Sequence, residues 1–300
     1  MKLFSGTSNQ PLAEKIAAQL GVSLGDVEIT RFIDNECRVF VKETVVDEEV
    51  YVLQSLSEVA DQNLVELCLL GAALKSLKAK KVTAIIPWMG YSKQDKAFRK
   101  GEAISAQLVA KFIEAAGFDA VITVELHSEN VVPFFHIPVV ELSTHTLLAE
   151  ALSSGKFSHA VVASPDKGGK SRSERFANAI NFPIVYLAKS RDLATGEVQV
   201  TGIEGSVDGK EVIIFDDIIN TGSTAIRTSE FLRKNGAVSI HFLATHGVFA
   251  GNAVAAFIQS PIQKIIVTDS VYIPKDKQFS SLDIVSVTPL LAGAIKRETT

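Results

Sequence analysis

The chain has 300 residues, 47% of them hydrophobic and 21% charged, with a formal net charge of −4. That length and composition allow two substantial hydrophobic cores and exclude a disordered or fibrous protein. No cluster of five or six lysines and arginines gives a footprint for nucleic acid or a membrane surface, and no run approaches the roughly 18 apolar residues of a membrane span.

From the amino terminus, Phe4-Ser5-Gly6-Thr7-Ser8-Asn9 precedes an apolar helical pattern, Leu12 to Leu20, for which Asn9 is a good N-cap. The opening residues lack the apolar stretch of a secretory signal, so a cytoplasmic protein is expected. Strands are predicted at Val27 to Ile33, Val50 to Gln54, Val82 to Pro87 and Ala120 to Val124, with helices at Gln62 to Leu77 and Ile104 to Ala116, the latter closed by Gly117 as C′ residue. Cys37 and Cys68 lie in apolar stretches without metal-ligand spacing and are expected as reduced core residues. After about Leu142 a second alternation begins. Its strands are predicted at Ala160 to Ser164, Ile184 to Ala188, Val212 to Phe215, Ile240 to Thr245 and Ile265 to Thr268, and its helices at Lys170 to Ile180, Ala225 to Lys234 and Ala253 to Ile258. Alternation of this kind implies parallel sheets in an α/β architecture with two similar halves and a junction near residues 138 to 145. Residues 189 to 209 are polar, glycine-containing and without apolar periodicity, and are read as a long functional loop.

Several segments carry chemistry. Phe32-Ile33-Asp34-Asn35-Glu36 sets an aromatic face, able to stack on a purine, beside carboxylates able to accept from an exocyclic amine, although alone it is also an ordinary strand-end turn. Asn35 tolerates positive φ. Trp88 to Lys96 follows a strand, and Lys93, Lys96, Arg99 and Lys100 concentrate the positive charge that a triphosphate needs, or form a solvated charged loop. Ser164-Pro165-Asp166-Lys167-Gly168-Gly169 follows another strand; its glycines let backbone amides approach an oxyanion, and Asp166 can face a magnesium ion. A P-loop reading of Gly169-Lys170-Ser171 fails because position 164 is serine.

The richest segment is Val212 to Thr224. A buried parallel strand, Val212 to Phe215, delivers Asp216 and Asp217 to the carboxyl edge of a sheet, where open α/β folds bind ligands. The carboxylates can accept from ribose hydroxyls, while Thr221, Gly222, Ser223 and Thr224 offer hydroxyls and first-turn N–H groups to a phosphate. The plain alternative is a strand-to-helix turn capped by Thr221.

This loop resembles that of phosphoribosyltransferases and phosphoribosyl pyrophosphate (PRPP) synthetases. The other segments resemble the synthetase family in order and spacing: Phe32 to Glu36, Gly90 to Asp95, Glu125-Leu126-His127, Ser164 to Gly169, and Lys189-Ser190-Arg191. The resemblance implies two tandem phosphoribosyltransferase-like domains, residues 1–142 with the ATP-side motifs and residues 143–300 with the ribose 5-phosphate and catalytic loops. It implies transfer of the diphosphoryl group of MgATP to the 1-hydroxyl of ribose 5-phosphate. By the same resemblance Phe32, Asp34, Glu36, Lys93, Gln94 and Asp95 hold ATP; His127 and Asp166 serve the Mg²⁺ region; Asp216, Asp217 and Asn220 to Thr224 hold ribose 5-phosphate; and Lys189 and Arg191, on a mobile loop, stabilise the transition state. A homo-oligomer, at least a dimer, is expected. A PRPP-consuming transferase and a catalytically silent regulatory homologue are the alternatives. Departures from the family pattern are Lys93 for arginine, Glu125 for aspartate, Asn220 for aspartate and Ser223 for glycine. Val45-Val46-Asp47 stands where the phosphate-activated branch has Val-Arg-Gly, and Lys100 to Ser105 is similar to archaeal-type members, so no requirement for inorganic phosphate is expected.

Overall fold

The computed structural model describes residues 1–152, 157, 159–165, 169–191 and 198–299. The chain forms two compact units, the first of Met1–Ser143, Ser270–Tyr272 and Ser286–Thr300, the second of Thr144–Asp269 and Ile273–Val285.

The first unit is built on a five-stranded sheet in the order β1 (Lys2–Ser5), β4 (Glu49–Leu53), β5 (Lys81–Ile86), β6 (Ala120–Val124), β7 (Val139–Leu142). All its pairings are parallel. Such a sheet is covered on both faces, which is why β6 reads Ala-Val-Ile-Thr-Val with every residue buried rather than alternating. The helices α1 (Gln10–Leu20), α2 (Ala60–Ser76) and α3 (Ser105–Ala115) supply the covering faces. After α3, Gly117 at φ +92 donates its N–H to the Glu114 carbonyl, a left-handed stop that glycine adopts without strain. Asn9 occupies the N-cap position of α1, but its side chain makes no capping hydrogen bond; the residue is buried and adopts φ −155. The antiparallel hairpin β2 (Val27–Arg31) and β3 (Cys37–Val41) forms a separate two-stranded sheet. The thiols of Cys37 and Cys68 are free and half-buried rather than sealed in the core.

The C-terminal helix α8 (Thr288–Thr299) belongs to this first unit, packing against α1, with Lys81 Nζ 3.0 Å from Glu298 Oε2. Chain order had placed it with the second half. Packing decides otherwise, because a helix joins whichever sheet its apolar face completes.

The second unit has a seven-stranded sheet in the order β10 (Val198–Glu204), β9 (Ile184–Arg191), β8 (Ala160–Ser164), β11 (Glu211–Ile219), β12 (Ser239–Gly247), β13 (Lys264–Thr268), β14 (Leu282–Val285). Only the β9–β10 pair is antiparallel. The helices are α4 (His145–Leu152), α5 (Lys170–Ile180), α6 (Ser223–Lys234) and α7 (Ala253–Ile258). The polar stretch expected as a loop from residue 189 is largely a hairpin: β9 continues to Arg191, and β10 pairs with it, Lys189 opposite Val200 and Arg191 opposite Val198. As an edge strand β10 needs no apolar outer face, so its polar residues conceal it from a search for apolar periodicity.

Strand β11 also outruns its expected end at Phe215. It pairs with β8 only over Glu211–Ile214, but with the longer β12 as far as Ile219 opposite Gly247. Its residues alternate between two cores. Ile213 and Phe215 pack with Leu148 of α4 and Phe176 of α5, the Phe176 and Phe215 rings stacked at 4.2 Å, whereas Val212 and Ile214 pack with Leu232 of α6 and Phe257 of α7.

Candidate active site

In the second unit the period-two alternation of β11 sets the two aspartates. Continuing the face of Ile213 and Phe215, Asp217 turns toward α5 and is almost wholly buried, its carboxylate 2% exposed. There it meets Arg172, whose Nη1 donates to Asp217 Oδ1 at 2.9 Å and lies 3.4 Å from Asp216 Oδ1, the guanidinium side chain itself being 11% exposed. Asp216 accepts the Asp217 backbone N–H on Oδ1 at 2.9 Å and remains the more open carboxylate, 20% exposed. Both aspartates lie past the end of the β8 pairing, as the carboxyl-edge reading requires, although on the β12 side the sheet continues beside them.

The turn after β11 begins at Asn220. Gly222 is the N-cap of α6 at φ +75, and the first-turn amides of Ser223, Thr224 and Ala225 lack intrahelical acceptors by helix geometry. Thr221 is not the cap; its hydroxyl lies 3.1 Å from that of Ser223. Two constraints require glycine at 222: the left-handed backbone, and a Cβ that would stand 2.4 Å from Phe257 Cε2. The segment after β12 holds the turn from outside, with Val248 N–H donating to the Ile219 carbonyl and Ala250 N–H to that of Asn220, both at 2.9 Å. A cavity of about 450 Å³ adjoins the turn, bordered by Thr221, Ser223, Arg227 and Asn252.

Gly169 caps α5 at the end of the Ser164 to Gly169 segment; Asp166 lies outside the described residues. Lys189 and Arg191 are placed by backbone on β9, their side chains outside the description. The same strand is tied to α5 lower down, where Tyr186 Oη donates to Glu174 Oε1 at 2.7 Å and Lys170 Nζ stands 4.5 Å from the Tyr186 ring centroid. Arg172, Glu174 and Tyr186 were not singled out from sequence. The available signal was parity: if Ile213 and Phe215 face inward, so does Asp217, and a buried carboxylate needs a cation.

In the first unit, the loop after β5 and the turn after β6 come together. Asn130 Nδ2 donates to Asp95 Oδ2 at 2.9 Å. Burial works to raise the Asp95 carboxyl, but hydrogen bonds from Asn130, Ser128 and its own backbone outweigh it and hold the group below the usual carboxylate range. His127 is half-buried in this turn, two residues after Glu125, which is buried at φ +37. Gln94 is fastened to the start of α3 by Ser105 Oγ, 2.7 Å from Gln94 Oε1. The cations are open to solvent: Lys96, Arg99 and Lys100 are exposed and Lys93 is half-buried, with Lys96 Nζ 5.3 Å from the centroid of the exposed Phe98 ring. At the hairpin tip Asn35 adopts φ +68, Phe32 is 54% exposed, and Asp34 and Glu36 face solvent.

Among the described residues no three histidine, cysteine, aspartate or glutamate side chains converge on one point. Magnesium is commonly bound by one or two carboxylates with substrate phosphates and waters; of the residues expected in the magnesium region, His127 offers nitrogen, and the carboxylate, Asp166, lies outside the described residues.

The two parallel sheets, one carrying a carboxylate and hydroxyl loop at its carboxyl edge, make this a phosphoribosyltransferase-like α/β protein. Residues 1–117 match the N-terminal domain of ribose phosphate pyrophosphokinase, and residues 159–299 match the phosphoribosyl synthetase-associated domain. Ribose-phosphate pyrophosphokinase of Caldanaerobacter subterraneus subsp. tengcongensis is 38% identical, with 99% of this chain and 94% of that protein covered. The protein of the same name from Aquifex aeolicus is 39% identical, with 99% and 95% covered. The crystal structure of phosphoribosylpyrophosphate synthetase from Mycobacterium smegmatis superposes with a TM-score of 0.94 at 33% identity, covering 99% of this chain and 98% of that one. The chain belongs to the ribose-phosphate pyrophosphokinase family.

Proposed function

We propose that the protein transfers the β,γ-diphosphoryl group of MgATP to the 1-hydroxyl of ribose 5-phosphate, releasing AMP and PRPP. The observation that carries this beyond family likeness is the β11–α6 turn. One open carboxylate, Asp216, stands before a glycine-capped helix start whose amides and hydroxyls suit a phosphate dianion. Asp216 takes the ribose hydroxyls, and Asn220 to Thr224 take the 5-phosphate. ATP is held by Lys93, Gln94 and Asp95, with Phe32, Asp34 and Glu36 of the hairpin completing a purine pocket. Lys189 and Arg191 neutralise the charge that develops on the transferred group. His127 and Asp166 serve the magnesium region; the bound ion would screen the phosphates, and the reaction is otherwise one of positioning.

The hairpin tip, with Phe32 54% and Ile33 fully exposed, and the exposed Val65, Leu69, Leu108 and Phe112 of α2 and α3 are consistent with a homo-oligomer that covers the first unit. The described residues contain no helix long and apolar enough to cross a membrane, and a cytoplasmic enzyme is proposed. The test is direct: protein with Mg²⁺, ATP and ribose 5-phosphate should release AMP and PRPP in equal amounts. Formation of ADP, or no turnover, would overturn the reading.

A further inference from the structure

We propose that Arg172 is a positioning residue of the ribose site: it cancels the charge of Asp217, turns that residue into an anchor, and leaves Asp216 as the single acceptor for the sugar. The inference rests on reading the β11–α6 turn as the ribose 5-phosphate loop. Two adjacent carboxylates beside a phosphate-binding turn would repel the ligand that the turn is built to hold. The Arg172 contacts at 2.9 Å to Asp217 and 3.4 Å to Asp216 lower the net charge of the trio to −1. Asp217 is 2% exposed and engaged with the guanidinium, so it is out of reach of a ligand in this arrangement. Asp216 is held through one oxygen by the Asp217 N–H and by Arg172, which fixes its rotation before the sugar arrives.

The start of α5 links three segments of the unit. Arg172 lies in the first turn of α5, which directly follows the Ser164 to Gly169 segment, and it contacts β11 through Asp216 and Asp217. Two residues on, Glu174 accepts from Tyr186 of β9, the strand that carries Lys189 and Arg191. The start of α5 therefore sets the ribose carboxylates and the strand of the two cations in one register.

The variants that test this are Arg172→Gln, Arg172→Lys, the double variant Arg172→Gln/Asp217→Asn, and Asp216→Asn, each assayed for melting temperature, kcat and the two KM values. The double variant leaves no buried carboxylate without its cation, so it can fold even where Arg172→Gln alone does not. Positioning requires that the double variant, with a melting temperature near wild type, still raises KM for ribose 5-phosphate by about tenfold or more, the scale of one charge-assisted hydrogen bond. KM for ATP should stay within about twofold, a split between ligands that general destabilisation does not produce. Arg172→Lys keeps the charge but loses the fork, and should recover stability more fully than KM. A folded double variant with wild-type KM for ribose 5-phosphate would leave Arg172 a purely structural partner and sink the proposal. Asp216→Asn separates the two failures: if it too leaves that KM unchanged, the ribose reading of the loop falls, whereas a raised KM there with an unchanged double variant refutes the role of Arg172 alone.

Discussion

At the scale of residues, neighbouring side chains of one type have different work. Removing Asp217 as alanine takes from the buried Arg172 the shorter of its two carboxylate contacts, and breaking a buried pair costs up to about 3–5 kcal/mol, so Asp217→Ala should lower the melting temperature of the second unit sharply. Asp216→Ala should leave it nearly unchanged and act on ribose 5-phosphate binding. Equal stability losses in thermal unfolding of the two variants would contradict the observed burial. Gly222→Ala must strain a left-handed backbone by about 1–2 kcal/mol and displace Phe257, and should weaken ribose 5-phosphate binding together with stability. Ser223→Gly restores the residue usual in the family at an exposed N1 position and should change that KM by less than about tenfold. A larger change would make the Ser223 hydroxyl a principal ligand.

At the scale of elements, the β9–β10 hairpin and strand β12 make separate predictions. Lys189→Ala and Arg191→Ala should each lower kcat by about 10²-fold or more with smaller changes in KM, because their interaction is strongest with the charge of the transition state. Wild-type kcat in steady-state assays of both would show that the hairpin is not part of the catalytic apparatus. On β12, His241 packs edge-on to Phe157 at 5.1 Å, and burial holds its imidazole below the ordinary range. A depressed histidine binds its proton more readily in the unfolded chain, so its contribution is complete above about pH 6.5 and is lost as pH falls below that value. The melting temperature of the wild type should therefore drop between neutral pH and about pH 5.5 by more than that of His241→Gln. Parallel melting curves for the two would show that another group governs the acid side.

For the whole molecule, the expected difference from the phosphate-activated branch of the family lies in regulation. Val45 is packed into the first core and Val46 is half exposed, in place of a cationic side chain. Asp47 occupies a left-handed position at φ +58, where that branch has glycine. Valine in place of the arginine removes the attraction for phosphate, and the added carboxylate of Asp47 repels it. Activity should therefore be independent of inorganic phosphate from zero to tens of millimolar, and ADP should inhibit by competition with ATP alone. Phosphate activation with non-competitive ADP inhibition in initial-rate kinetics would refute this.

The elements legible in the sequence were those whose energetics are local. Short continuous apolar runs such as Ala120 to Val124 and Val212 to Phe215 suit strands covered on both faces, and Gly117 marks a helix end by its own backbone freedom. The carboxylate and hydroxyl turn from Asp216 to Thr224 was legible as a candidate site because its residue types, at the end of an apolar strand, suit sugar hydroxyls and a phosphate. Edge strand β10 escaped notice because the register shift between Val200 and Gly202 breaks its alternation, and the place of α8 in the first unit was not legible because chain order does not record which sheet an apolar face completes. The unequal burial of Asp216 and Asp217 was likewise beyond the sequence. The two are chemically identical, and only the pairing of β11 against shorter and longer neighbours, with α5 across one face, buries one against Arg172 and leaves the other open. Local pattern fixes what a segment becomes, whereas contacts between residues far apart in the chain decide which face it shows and what charge meets it there.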